Sequence, residues 1–130
     1  MDFELDAGQR AWLAEVREFL RENVTPALRA ELARHDLEFP NGEVARFRRK
    51  IGEKGWFGLN WPREYGGLGG EGGLGAIHQH LLMSEFEYWG VPGPDLTVTS
   101  VAPMIMRHGT ERNKTEWLPL IARGEMICAV

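Results

Sequence analysis

The feature that most constrains this chain is a punctuated central stretch, Gly55-Trp56-Phe57-Gly58-Leu59-Asn60-Trp61-Pro62-Arg63-Glu64-Tyr65-Gly66-Gly67-Leu68-Gly69, which continues as a glycine run to Gly75. Pro62 bars a helix through its own position, and glycine at this density suits neither helix nor strand. Gly58 to Gly75 therefore reads as an ordered loop. Helical periodicity holds on both sides of it, so the chain is expected to fold as helices arranged about this loop.

Asp6 followed by Gln9 makes a capping box, and Trp12, Val16, Phe19 and Leu20 then recur on one helical face, ending near Pro26. Ala27 to His35, with Leu28 and Leu32 one turn apart, predicts a short second helix before the Asp36 to Pro40 break. Asn41 is positioned to cap a third, in which Val44, Phe47 and Ile51 form a stripe and Arg46, Arg48, Arg49 and Lys50 read as the solvated face, with Gly55 to stop it. Leu74 to Trp89 is apolar on more than one side, through Ile77, Leu81, Leu82, Phe86 and Trp89, as expected of a central helix covered all round. Thr97 to His108 carries Val98, Val101, Ala102 and Ile105 on one face, with Pro103 marking either a kink or the true first turn. Thr110 caps a last helix with Trp117, Leu118, Leu120 and Ile121 inward and Gly124 at its end. The expectation is an all-α bundle of five or six helices over residues 1–125. Met126 to Val130 is a short apolar run without caps and reads as the first strand of a β domain. A lone strand cannot satisfy its own backbone, so this run marks the chain as a piece of something longer.

A chain of 130 residues, 43% hydrophobic and 26% charged, can bury a core without disulfides, which favours one soluble globular domain. Its 15 basic residues are scattered among 19 acidic ones, so no basic face offers itself to nucleic acid. The single cysteine, Cys128, fits a reducing compartment, and residues 1–6 lack the marks of a secretory or transit segment, so a cytoplasmic setting is expected. No apolar run approaches the roughly 20 residues needed to span a bilayer.

The glycine run contains formal G-x-G-x-x-G matches from Gly67 and from Gly70. A dinucleotide site requires a strand ahead of the glycines, and Trp61 to Tyr65 reads as a turn, so the run is read as structural. His78 and His80 are two apart on a helix, the wrong spacing for a shared metal. His35 and His108 fall near helix ends, where an imidazole meets orphan carbonyls. Glu85 and Glu87 diverge on their helix and form no dyad, although Glu85 remains open to buried acid work. The methionines and Cys128 read as packing residues, and no nucleophilic constellation assembles.

Four features occur in a fixed order: the Gln9-Arg10 helix start, the Gly58-Leu59 to Gly69 loop, Ser84-Glu85 in the central helix, and Gly109-Thr110 to Lys114 leading to Leu118-Pro119 and Gly124-Glu125. In that order they closely resemble the amino-terminal helical domain of the acyl-CoA dehydrogenases. Asn113-Lys114 and the long Gly70 to Gly75 run depart from the usual family pattern. The resemblance implies FAD as cofactor, an acyl-CoA thioester as substrate, an electron-transfer flavoprotein as acceptor, and a homo- or hetero-tetramer. It implies Asp95, Leu96 and Thr99 beside the acyl chain, and Ala129 and Val130 at the start of the strand that cradles the flavin. The family's catalytic glutamate lies in a later domain, so no catalytic residue is expected here and the domain alone should be inactive. The Val91-Pro92 to Pro103 pattern resembles bacterial members acting on bulky, sterol-derived acyl groups, often built from two unlike subunits. Two other readings stay open: a noncatalytic helical module or partner subunit, and a flavin oxidase or monooxygenase on the same scaffold.

Overall fold

The computed structural model describes residues 4–34, 41–69 and 75–129. The expectations for His35, for the Asp36 to Pro40 break and for Leu74 lie outside the described residues. The described residues form helices α1 (Ala7–Asn23), α2 (Pro26–Arg34), α3 (Glu43–Glu53), α4 (Ala76–Trp89), α5 (Ala102–His108) and α6 (Glu111–Ala122). Two 3₁₀ turns, Trp56–Gly58 and Arg63–Tyr65, stand in the central loop, and a wide π turn, Thr97–Val101, leads into α5. Helix α1 packs on α4, α2 on α3, and α5 on α6, which also backs the two 3₁₀ turns.

Local chemistry sets the starts of α1 and α6. The Asp6 carboxylate accepts the Gln9 N–H at 2.7 Å and the Gln9 side chain accepts the Asp6 N–H at 2.9 Å, completing the capping box. Thr110 accepts the Asn113 N–H at 3.1 Å to begin α6. Helix α3 departs from expectation, because its N-cap is Gly42 and Asn41 makes no cap. The acceptor is supplied by the α2 residue Glu31, 2% exposed, whose carboxylate takes the Glu43 N–H and, at 3.3 Å, the Val44 N–H. A carboxylate against the positive end of a helix satisfies orphan donors and complements the dipole.

An aromatic junction holds the core. Phe19 of α1 meets Trp56 at 4.8 Å, Phe47 of α3 at 5.8 Å and Phe86 of α4 at 6.5 Å between ring centroids. Trp12 meets Trp56 edge-on at 5.3 Å, and its indole N–H donates to the His78 carbonyl at 3.0 Å. These contacts, edge-on except for the tilted Phe19–Phe47 pair, add to the burial of large apolar area and join three helices to the loop. The loop itself closes on backbone: the Gly69 N–H donates to the Trp61 carbonyl at 2.8 Å and the Leu68 N–H to Gly58 at 2.9 Å. A Cβ on Gly67 would fall 2.2 Å from the Trp61 carbonyl oxygen, so glycine there is a matter of space.

Other expectations need correction. Helix α4 is not covered all round, since Ile77 is 51% and Tyr88 87% exposed. Trp117, expected inward, is 40% exposed. Pro103 lies in the first turn of α5, directly behind the π turn, where Ala102 donates to Thr97. The helical register slips by one residue ahead of a proline that has no N–H to donate. The strand expected at the C-terminal end is not formed, and residues 125–129 make no regular element. Met126 and Cys128 are half-buried while Ile127 and Ala129 are exposed, the two-residue alternation of a strand without a neighbour to bond with.

Glu31→Ala should lower stability by about 1–2 kcal/mol, measured as denaturant midpoint, whereas Asn41→Ala should stay within about 0.5 kcal/mol. Equal losses at the two positions would contradict the Glu31 cap.

Candidate functional site

Asp95, Leu96 and Thr99, expected beside a ligand, lie in or just before the wide turn, close to α3 and to the chain's last described segment. Close backbone contact brings these elements together. Gly124, at a φ of 71°, ends α6 against α3 so tightly that a Cβ would lie 2.4 Å from the Arg48 carbonyl oxygen. Residues 125–129 consequently leave α6 alongside the wide turn, and the Cys128 N–H donates to the Thr97 hydroxyl oxygen at 3.0 Å.

Asp95 organises the entrance to that turn. One carboxylate oxygen accepts the Thr97 N–H at 3.0 Å and the other accepts from Arg48 Nη1 at 2.7 Å. Its main-chain carbonyl accepts the Val98 and Thr99 N–H groups at 3.0 and 2.9 Å and the Thr99 hydroxyl at 3.0 Å. Arg48, expected on a solvated face, is instead buried, with its side chain 3% exposed. Its guanidinium lies 5.0 Å from the centre of the Phe57 ring, a favourable placement for a desolvated cation. Nε and Nη2 of Arg48 have no hydrogen-bond partner among the described residues, so Asp95 is the acceptor that compensates this charge. Arg46 and Lys50 are exposed as expected.

The wide turn separates two apolar hollows. Leu96, 49% exposed, lines an open groove of about 470 Å³ with Ser100, Val101, Met104, Ile105 and His108. Thr99 lines a more enclosed hollow of about 270 Å³ with Trp56, Trp61, Val98, Pro103 and Met106. Asn60 and Gln79, joined at 3.0 Å, border the second hollow. Asp95, Leu96 and Thr99 are thus close in sequence but divided in function: Asp95 is held in an ion pair, and the other two face different hollows. A further hollow of about 570 Å³ between α1 and α3 is lined by Glu15, Glu18, Glu22, Glu53, Lys50 and Lys54, a charged lining unsuited to an acyl chain. Ala129 is exposed at the end of the outgoing segment, and Val130 lies outside the described residues.

The remaining candidates take structural positions. Glu85 accepts from Arg17 Nε and Nη2 at 3.0 and 2.9 Å, tying α4 to α1. That hydrogen bond, and then the attraction of the carboxylate, raise the Arg17 pKa above its ordinary value. The His80 ring stands 3.5 Å from the Ser84 hydroxyl. Among the described residues no group of three or more His, Cys, Asp or Glu could hold a metal ion, and no helix is long and apolar enough to cross a membrane. Arg48 and Thr97 are the residues that sequence reasoning missed. Arg48 lies four after Val44 and three before Ile51, on the apolar stripe itself, and that register was the available signal.

The fold is an all-α domain, and its described residues carry apolar hollows. A sequence profile for the acyl-CoA dehydrogenase N-terminal domain matches residues 6–125, and the chain belongs to that family. It is 38% identical over 113 residues to acyl-CoA dehydrogenase FadE26 of Mycobacterium tuberculosis, covering 86% of this chain and 27% of that protein. It is 33% identical to FadE29 of the same organism, covering 100% of this chain and 32% of the relative. Among solved structures it resembles the ChsE4-ChsE5 complex from Mycobacterium tuberculosis, at a TM-score of 0.81 and 32% identity over 98% of this chain and 31% of that one. It also resembles the Tcur3481-Tcur3483 steroid ACAD, at a TM-score of 0.76 and 30% identity over 98% of this chain and 32% of the other. One of these structures is thus named as a steroid ACAD, and three of the four matches are from Mycobacterium tuberculosis. The chain spans less than a third of the length of these FadE relatives.

Asp95→Asn should cost about 1–3 kcal/mol, because it leaves the buried Arg48 charge uncompensated beside a partly exposed position, and Arg48→Met should cost less, because it removes that charge. Chemical denaturation of the two variants checks the order. A milder Asp95→Asn would mean that the guanidinium has another acceptor.

Proposed function

We propose that this chain is the amino-terminal domain of an FAD-dependent acyl-CoA dehydrogenase that introduces an α,β double bond into an acyl-CoA thioester, a step of the β-oxidation type. The observation that carries this reading is the wide turn Thr97–Val101, which presents apolar hollows on both sides and is hydrogen-bonded to the outgoing segment. Thr99 and Leu96 are its substrate-facing residues, and Asp95 contributes by holding the turn. An apolar wall on rigid helices orients the acyl chain and excludes water from the reacting carbons.

Ala129 and Val130 begin the edge along which the flavin would sit. Ala129 is small and exposed, which leaves room for such a group, while the Cys128 N–H is bonded to Thr97. When bound, FAD supplies the acceptor for the hydride leaving the β-carbon, with an electron-transfer flavoprotein taking the electrons onward. The carboxylate that removes the α proton belongs to a later domain, so the helical domain alone is inactive. The likeness to the Tcur3481-Tcur3483 steroid ACAD favours a bulky, sterol-derived acyl group, and the likeness to the ChsE4-ChsE5 complex favours a hetero-oligomer of unlike subunits. The same likeness keeps a second reading in play, in which this chain belongs to the noncatalytic member of the pair. A cytoplasmic setting accords with the free thiol of Cys128.

The protein produced from its whole reading frame should show flavin absorption that bleaches on anaerobic addition of acyl-CoA thioesters, most strongly with bulky ones. Thr99→Trp should then raise KM for bulky thioesters by about 10- to 100-fold and leave short-chain thioesters less affected. A flavin-containing protein that no thioester bleaches would support the noncatalytic reading, and a colourless one would remove the flavoenzyme assignment altogether.

A further inference from the structure

We propose that Arg48, Asp95 and Thr97 form a positioning relay that ties the wall of the acyl pocket to the segment leaving the helical domain. The proposal rests on the functional reading above and assigns to that site residues that touch neither acyl chain nor flavin. The relay is continuous. Arg48 on α3 donates to Asp95 at 2.7 Å, the other Asp95 oxygen accepts the Thr97 N–H at 3.0 Å, and the Thr97 hydroxyl oxygen accepts the Cys128 N–H at 3.0 Å. It links a core helix, the turn that divides the two hollows, and the segment that would run toward the flavin.

Two features separate this from ordinary packing. First, it is built from groups that are poor choices for stability alone. Thr97 is 1% exposed and Arg48 is 2% exposed, and two guanidinium nitrogens of Arg48 remain without partners among the described residues. Apolar side chains of similar volume would fill such a space at lower cost. What apolar residues would not supply is direction: the carboxylate fixes Thr97 relative to α3, and the hydroxyl fixes Cys128 relative to Thr97. Second, the contact to Cys128 is the one described hydrogen bond between the 126–129 segment and the helices, because the Glu125 N–H is spent on the end of α6 at Leu120. Half-buried Met126 and Cys128 hold the segment against the core, but apolar contact is nondirectional and does not set its register. The consequence is geometric coupling. A shift of Asp95 moves Leu96 and Thr99 at the pocket wall together with the strand-like segment, keeping acyl chain and flavin edge in register.

The test uses the full-length flavoprotein with Thr97→Val, which keeps the shape and removes the acceptor, and Thr97→Ser, which keeps the acceptor. Amide hydrogen exchange of peptides covering residues 125–129 should accelerate in Thr97→Val by up to about tenfold, the loss of one hydrogen bond, and return toward wild type in Thr97→Ser. Flavin retention on dilution should fall several-fold in the same variant, and KM for the acyl-CoA should rise, with Thr97→Ser rescuing both. Cys128→Pro removes the same bond from the other side, changing the segment and no residue of the helices, and should reproduce the flavin and KM losses if Thr97→Val folds poorly. Unchanged exchange in Thr97→Val would overturn the pinning. Faster exchange with unchanged flavin retention and KM would overturn the coupling. A full-length protein that never holds flavin would defeat the functional reading and the coupling with it, while the exchange measurement would still decide whether Thr97 pins the segment.

Discussion

The meeting of Phe19 with Trp56, Phe47 and Phe86 is the contact on which the rest of this domain depends. It brings α1, α3, α4 and the central loop to a single point. Each aromatic ring removes a large apolar area from water, and edge-on packing orients the rings relative to one another. The loop is thereby a structural member with its own buried residues. Trp56, Phe57, Leu59 and Trp61 all lie in the core, and the glycines let backbone fold back on backbone over them. Their other consequence concerns function, because Trp56 and Trp61 also form one side of the hollow that Thr99 faces. Core and pocket share side chains, so the pocket inherits the rigidity of the core.

What could be read from the sequence was whatever is encoded locally. The Asp6–Gln9 box, the Thr110 cap and the α1 stripe of Trp12, Val16, Phe19 and Leu20 depend on residues three or four apart, and each forms as its spacing implies. The start of α3 was misread for the opposite reason. Its acceptor, Glu31, stands on another helix, 12 residues before the N–H it receives, and only tertiary packing brings them together. Asn41 had the right chemistry next to the right position and lost to a better-placed carboxylate. Ile77 and Trp117 were misassigned because apolar character was taken to mean burial, and a large apolar residue on the surface of one domain is not anomalous.

The sequence marked a stretch of chain and not an arrangement. Asp95 and Leu96 precede the turn that borders both hollows and Thr99 stands within it, and nothing in the sequence signals that Asp95 is held by a cation 47 residues earlier. Charged runs are usually solvated, and Arg46 and Lys50 obey that expectation while Arg48, on the apolar side of the same helix, does not. Pro103 was recognised as incompatible with an uninterrupted helix. The π turn ahead of it resolves the conflict and widens the backbone at the point where the two hollows diverge.

Under the proposed function this domain contributes geometry to a reaction whose redox step belongs to a cofactor. Among the described residues the most demanding electrostatics are those of the Arg48–Asp95 pair. A buried guanidinium with one carboxylate partner is held in a narrow range of positions, since any displacement leaves the charge less compensated. Through Asp95 that narrow range is imposed on the turn, and through Thr97 on residues 125–129, whose alternating burial is that of a strand without its neighbours. The helical bundle thus acts as a frame with a defined exit: its core sets the pocket wall, and a charge buried in that core sets the direction in which the chain leaves it.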